Sequence, residues 1–300
     1  MTKNLSVIVD PVPSENYPTT FKVESTPIPD INDDEVLISM QKVGICGSDV
    51  HYWTHGKIGD FVVKKPMILG HEAAGKIEKV GKNVTHLKIG DRVAIEPGYP
   101  VENDEFSKTG RYNLSPVFFC ATPPDDGCLS NFYKHKADYC YKLPDNMTYE
   151  EGAFCEPLSV GIHACRRGNV TLGCDVLILG AGPIGLVNVL VAKSMGAANI
   201  VVVDINEDRL KLAEKIGANG VYVPSKEMKP RDQAVKLINQ LFDGREPSVC
   251  IECTGVESCL QLAVFSCKRA GTVVAVGMSK EEVNFPILLL VSKKRIESYI

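Results

Sequence analysis

Residues 174–204 read CDVLILGAGPIGLVNVLVAKSMGAANIVVVD. A short apolar run, Val176 to Leu179, breaks on Gly180-Ala181-Gly182-Pro183-Ile184-Gly185, a helix-like segment follows, and a second β-branched run, Ile200 to Val203, ends on Asp204. Strand, glycine turn, helix, strand and acid in that order form the context in which G-x-G-x-x-G predicts dinucleotide binding. Gly180 suits the tight turn, Gly182 lets backbone approach a pyrophosphate, and Gly185 lets the helix pack close on the strand. Pro183 and Ile184 open the helix, whose N-terminal N–H groups and partial positive charge favour phosphate. Asp204, nineteen positions beyond Gly185, is placed to accept hydrogen bonds from the adenosine ribose. Residues 176–192 are apolar enough to suggest a membrane span. Three glycines, a proline and Asn188 within them, with another apolar strand directly after, favour a buried α/β core.

Three hundred residues suggest two domains. A chain 44% hydrophobic and 23% charged has the composition of a globular protein, and a net charge of -4 offers no footprint for nucleic acid or an anionic membrane. The opening MTKNLSVIVDPVPS lacks the basic-then-apolar pattern of a secretory signal. Eleven irregularly spaced cysteines read as reduced thiols in a cytoplasmic protein rather than a disulfide framework.

Residues 1–45 read as short strands broken by prolines, with Glu35 to Met40 the clearest alternating run. Cys46, in VGICGSDVHYW, and His71-Glu72, in GHE, are candidate zinc ligands, since thiolate, imidazole and carboxylate are the groups zinc takes. Thr148 to Arg167 has a helical pattern, with Glu150 and Glu151 early, Arg166 and Arg167 late and Gly168 as a stop. After Asp204 the chain alternates as an open α/β sheet requires. Helices are expected near 208–216, 232–241 and 258–266, and strands near Val221, at 249–252 and at 272–276. Cys250 and Cys253 stand three apart on a strand, so they point to opposite faces and read as core.

Gly70-His71-Glu72-Ala-Ala-Gly75-x5-Gly81-x2-Val84 resembles the zinc signature of the medium-chain alcohol dehydrogenases. The stretches Val43 to Tyr52, Phe119 to Gly127 and Glu156 to Arg167 resemble the sorbitol (L-iditol) branch of that family, and the likeness runs from about Leu5 onward. It implies a GroES-like β-rich catalytic domain over 1–157, a Rossmann doubly wound parallel sheet over 158–300, and an active site in the cleft between them. It also implies a C-terminal return segment beyond Ile300 that completes the first domain and is missing from this sequence.

Residue by residue, the resemblance puts one catalytic zinc on Cys46, His71 and Glu72. Glu156 stands beside the metal and binds through water or substrate, Tyr52 meets the polyol chain, and Ser48 lies near the reacting hydroxyl. The proton leaves through Ser48, His51 or water near Glu156, and hydride passes to NAD. Val276, Gly277 and Met278 line the nicotinamide side. Cys155 is a rival ligand by softness, read as structural because its side chain turns away from that of Glu156. Arg209 stacks on adenine or, if NADP were bound, reaches a 2′-phosphate; Asp204 favours NAD. Many relatives hold a second, structural zinc on four cysteines, where this chain has Val101, Asp104, Ser107 and Ser115, so that metal is not expected. Pro286 to Val291, followed by Lys293, Lys294 and Arg295, is expected as a subunit-interface strand in a homo-oligomer, dimer or tetramer. The implied activity is reversible oxidation of sorbitol, xylitol or L-iditol to a ketose. The alternatives are a catalytically impaired cofactor-binding relative, or a dehydrogenase of threonine or simple alcohols.

Overall fold

Short β-branched runs punctuated by proline and glycine fold the N-terminal part of the chain into antiparallel sheets. The computed structural model describes residues 3–11, 20–101, 103–278, 282–289 and 295–298. The chain separates into two units, Met1–Glu156 and Pro157–Ile300. The first contains β1 (Asn4–Val9), β2 (Phe21–Thr26), β3 (Glu35–Gly44), α1 (Gly47–His55), β4 (Lys57–Ile58), β5 (Phe61–Val62), β6 (Met67–Ile68) and β7 (Glu72–Val80). It continues through β8 (Arg92–Ile95), β9 (Gly98–Pro100), α2 (Glu105–Lys108), β10 (Val117–Phe119), β11 (Phe132–Lys136) and β12 (Cys140–Lys142) into α3 (Tyr149–Arg167). One sheet has the order β11-β3-β7-β8-β12 and another β2-β1-β6.

The strand expected from Glu35 to Met40 forms, but it does not alternate. Glu35, Val36, Leu37 and Ile38 are all buried, because β3 lies inside the sheet with both faces covered. Glu35 tolerates this position by accepting the Asn32 N–H at 2.8 Å and pairing with Lys134 at 3.4 Å. Irregularities between Leu37 and Ile38 and between Met40 and Lys42 offset one another, so the register set at Val36–Val80 returns at Gly44–Glu72. Helix α3 begins with a reciprocal cap: Thr148 N–H donates to Glu151 Oε2 at 2.7 Å, and Glu151 N–H donates to Thr148 Oγ1 at 3.1 Å. It ends before Gly168, although the left-handed residue of that turn is Asn169, at φ 56°.

The second unit alternates β13 (Asp175–Leu179), α4 (Pro183–Ser194), β14 (Asn199–Val203), α5 (Glu207–Ile216), β15 (Gly220–Tyr222), α6 (Pro230–Leu241), β16 (Val249–Glu252), α7 (Glu257–Ser266), β17 (Thr272–Ala275) and β18 (Arg295–Ser298). The six strands are parallel, in the order β15-β14-β13-β16-β17-β18. Val176 and Ile178 pack with residues of α4 and α5, while Leu177 and Leu179 pack with residues of α6 and α7. Covering both faces explains why these strands read as unbroken apolar runs. Cys250 and Cys253 pack on opposite sides of this sheet.

The apolar stretch 176–192 divides between β13 and α4, and no described helix is long and apolar enough to cross a membrane. Residues 287–289 form a turn of helix, with Leu289 N–H donating to Pro286 O at 3.1 Å, in place of the strand expected over Pro286 to Val291. Pro286 precedes this turn and supplies the carbonyl that closes it. Residues 290–294, with the rest of that stretch and both lysines, lie outside the described residues.

Candidate metal and cofactor sites

Cys46 precedes the first turn of α1, Glu72 opens β7, and His71 comes immediately before it. Their ligand atoms all lie within 4.8 Å of one another. Asp49 holds the set in place. Its Oδ2 accepts the Cys46 N–H at 3.0 Å, which fixes the start of α1, and its Oδ1 accepts the Gly70 N–H at 2.8 Å, which fixes the approach to His71. The same Oδ1 lies 3.9 Å from His71 Nδ1, and both side chains are buried. His71 Nδ1 has no hydrogen-bond partner among the described residues. Sequence reading assigned Asp49 no role, although Cys-x-x-Asp ahead of a helix is the pattern of a capping box.

The glycine opposite Glu72 is equally specific. A β-carbon on Gly44 would overlap Glu72 Oε2, so the carboxylate can occupy its position only because the facing strand carries no side chain there.

Burial pushes the Cys46 thiol up to about 11, against hydrogen bonds from the Ser48 side chain and backbone. Glu72 is also raised by burial, with His71 and Cys46 opposing. Glu156, in α3, is pushed up to about 7 by burial, with His71 lowering it and Glu72 and Asp49 raising it. These values belong to the protein's own field. Three acidic groups gathered in a low-dielectric pocket are each costly as anions unless a positive charge joins them. Thiolate, imidazole and carboxylate donors, a glycine cradle and a buried imidazole nitrogen without a partner fit a zinc ion with an open fourth position.

The other expected residues are distributed around this set. Ser48 reaches Cys46. Tyr52 is 2% exposed, packed with Val9, Val63, Met67 and Leu69, and hydrogen bonded to Thr122. His51 is exposed on α1. Cys155, the rival ligand, donates to Glu151 O of its own helix at 3.4 Å and stands outside the cluster. Among the positions expected to lack a structural zinc, Asp104 Oδ1 accepts the Ser107 N–H at 2.8 Å and its hydroxyl at 3.0 Å, and Ser107 Oγ meets Ser115 Oγ at 3.3 Å. A cavity of about 580 Å³ in the same unit is lined by Glu35, Lys65, Tyr99, Phe118, Asp125 and Tyr133 among others, and by none of the three candidate ligands.

In the second unit β13 is flanked by β14 and β16, so the chain reverses direction across the sheet at this point. Ligands of open α/β sheets bind outside the strand C-termini at such a switch point. Gly180 leaves β13 at φ 100°. A β-carbon on Gly185 would overlap Gly180 O, whereas one on Gly182 would meet nothing within 4 Å, which leaves that side open. Gly182 is the N-cap of α4, with Pro183 at its first position and Ile184 next. Asp204 follows β14, its Oδ2 accepting the Ala181 N–H at 2.6 Å and its Oδ1 the Asn206 N–H at 2.8 Å. Arg209 is exposed in the first turn of α5. Val276 and Gly277 follow β17, both N–H groups donating to Glu252 O at 2.8 and 2.9 Å, and Met278 is exposed. Glu252, which sequence reading passed over, is 1% exposed at the end of β16 and accepts the Thr254 N–H at 2.7 Å, the Gly255 N–H at 3.1 Å and the Thr254 hydroxyl. It braces the loop beside the glycine turn.

Residues 32–145 match the alcohol dehydrogenase GroES-like domain and residues 183–298 the zinc-binding dehydrogenase domain. The chain is 58% identical to human sorbitol dehydrogenase over 286 residues, covering 95% of this chain and 78% of the relative. It belongs to the zinc-binding medium-chain dehydrogenases. The rat sorbitol dehydrogenase is 57% identical to this dehydrogenase over 287 residues, covering 95% and 78% of the two chains. Its fold is similar to that of an Escherichia coli oxidoreductase of unknown specificity involved in membrane biogenesis, with a TM-score of 0.88, 35% identity, and coverage of 100% of this chain and 84% of that one.

Proposed function

We propose that this dehydrogenase reversibly oxidises a secondary hydroxyl of sorbitol, xylitol, L-iditol or a related polyol to the ketose, with one zinc ion and NAD. The convergence of the Cys46, His71 and Glu72 ligand atoms within 4.8 Å carries this reading. Zinc held there supplies Lewis-acid polarisation of the substrate oxygen, and the nicotinamide supplies the hydride acceptor.

This chain's own residues do the rest. Cys46, His71 and Glu72 hold the metal, and Asp49 holds Cys46 and His71 in register. Ser48, His51 and Glu156 carry the hydroxyl proton toward solvent, and a carboxyl titrating near neutrality suits Glu156 to that task. Tyr52 and Glu156 bound the polyol. Gly180, Gly182, Pro183, Ile184 and Gly185 receive the pyrophosphate. Asp204 accepts from the ribose and disfavours a 2′-phosphate, beside Arg209, and Val276, Gly277 and Met278 border the nicotinamide.

A single zinc is supported by the hydrogen-bonded Asp104, Ser107 and Ser115, which offer no thiolate. The first unit acts as the catalytic domain and the second as the NAD-binding domain. Eleven free cysteines support a cytoplasmic location. Exposed Ile287 and Leu288, ahead of the sheet-edge strand β18, support assembly into a dimer or tetramer.

The test is NADH formation with sorbitol, xylitol, ethanol and threonine, alongside zinc analysis. Polyol turnover with one zinc per chain is expected, and Cys46→Ala should abolish both. Faster turnover of ethanol or threonine would overturn the substrate class. Bound zinc and NAD without turnover on any of the four would overturn the catalytic reading.

A further inference from the structure

Helix α1 carries a second pair of metal-binding side chains. His51 and His55 are exposed one helical turn apart, with ring centroids 5.2 Å apart and planes inclined by 30°. Residues four apart share a helix face, and two histidines at that spacing are a recurring zinc-binding arrangement. The separation also fits bidentate binding. With a metal–nitrogen bond of about 2.0–2.1 Å, the metal lies roughly 3.2 Å from each ring centroid. Two such rings then stand about 4.5 Å apart at a right angle and about 5.2 Å apart at the tetrahedral angle.

Thr54 settles the tautomer of His55. Its hydroxyl donates its one hydrogen to Val50 O at 2.7 Å and lies 2.7 Å from His55 Nδ1. Having donated that hydrogen, Thr54 Oγ1 can only accept, so His55 Nδ1 carries the proton and Nε2 the lone pair. A ligating histidine oriented by donating through its other nitrogen is the usual support of a metal site.

We propose that His51 and His55 form a second, exchangeable site for a first-row divalent transition-metal ion, with Cu2+ held most tightly and water completing the coordination. The site differs from the Cys46–His71–Glu72 cluster in offering two imidazoles and no thiolate or carboxylate of its own, on an exposed helix face. Metal bound there occupies the His51 lone pair and inhibits turnover; this consequence rests on the His51 role proposed above, whereas the binding does not.

The experiment is calorimetric titration of the zinc-loaded full chain with Ni2+, zinc content being measured before and after. The electron paramagnetic resonance spectrum of the protein with one equivalent of Cu2+ complements it. One added Ni2+ per chain with zinc retained, and a Cu2+ signal split by two nitrogens, are expected. His55→Ala should weaken Ni2+ binding more than tenfold and leave activity without added metal unchanged. Thr54→Val should weaken binding severalfold, since it removes only the orientation. Absence of binding, equal affinity in His55→Ala, or stoichiometric release of zinc would overturn the site. Binding without inhibition would uphold the site and remove His51 from the proton path.

Discussion

Gly44 lies directly opposite Glu72 in the β3–β7 ladder, and a β-carbon on it would occupy the space of the Glu72 carboxylate. The proposed metal-ligand set therefore depends on a missing side chain as well as on three present ones. Gly44→Ala should reduce zinc affinity by at least tenfold while the unfolding midpoint of the metal-free protein changes little. Zinc retention against a graded chelator measures this, and retention equal to the parent would show that Glu72 can shift without loss.

Asp49 joins Cys46 to Gly70 through its two oxygens. An amide has one acceptor oxygen, so Asp49→Asn leaves one of these N–H groups facing a donor. Zinc affinity or kcat should fall by about 10–100-fold, and stability by about 1–3 kcal/mol. Kinetics with saturating zinc separate the two effects: unchanged kcat there would confine Asp49 to metal retention.

His135 is 2% exposed and rests against Tyr99, Phe118 and Tyr133. Its Nε2 donates to Glu96 O at 2.8 Å, and its Nδ1 has no hydrogen-bond partner among the described residues. Burial lowers its pKa from 6.5 to about 4. Well above pH 6.5 neither the folded nor the unfolded chain protonates this ring. As pH drops from there to about 4 the unfolded chain binds the proton first, so stability decreases as pH decreases, by up to about 3 kcal/mol. His135→Gln keeps an N–H for Glu96 and does not titrate. Urea midpoints across that window should flatten in the variant, and an unaltered slope would locate the acid sensitivity elsewhere.

Asp204 bridges the glycine turn and the start of α5. Asp204→Ala should raise the KM for NAD about tenfold with kcat nearly preserved, the pattern of lost ground-state binding. It should also narrow the preference for NAD over NADP. A fall in kcat with KM unchanged would argue that the carboxylate shapes the turn rather than the cofactor site.

Much of this was legible in the sequence because its determinants are local. The run from Val176 to Asp204 states strand, turn, helix and acid within consecutive residues, and the structure places those elements at 175–179, 183–194 and 199–203. Cys46, His71 and Glu72 could be picked out because two short motifs carry zinc-type side chains and resemble the family signature. The support beneath them could not, because it depends on pairing between distant residues. Gly44 faces Glu72 only after two offsetting irregularities in the β3–β7 register, and Asp49 matters only because Gly70 comes to its second oxygen. The burial of Glu35 follows from its place inside a sheet that no local pattern announces. At 287–289 a turn of helix replaces the strand that the resemblance implied, and a short apolar run has no period that could have corrected it.

The hydroxyl and carboxylate contacts among Asp104, Ser107 and Ser115 make that lobe's closure independent of any ion. Chelators and thiol oxidants, which would open a loop clasped by four sulfurs, find no thiol at these positions. Removal of the zinc proposed at Cys46, His71 and Glu72 should thus leave this lobe shut, and reloading becomes a matter of refilling one socket rather than refolding the loop.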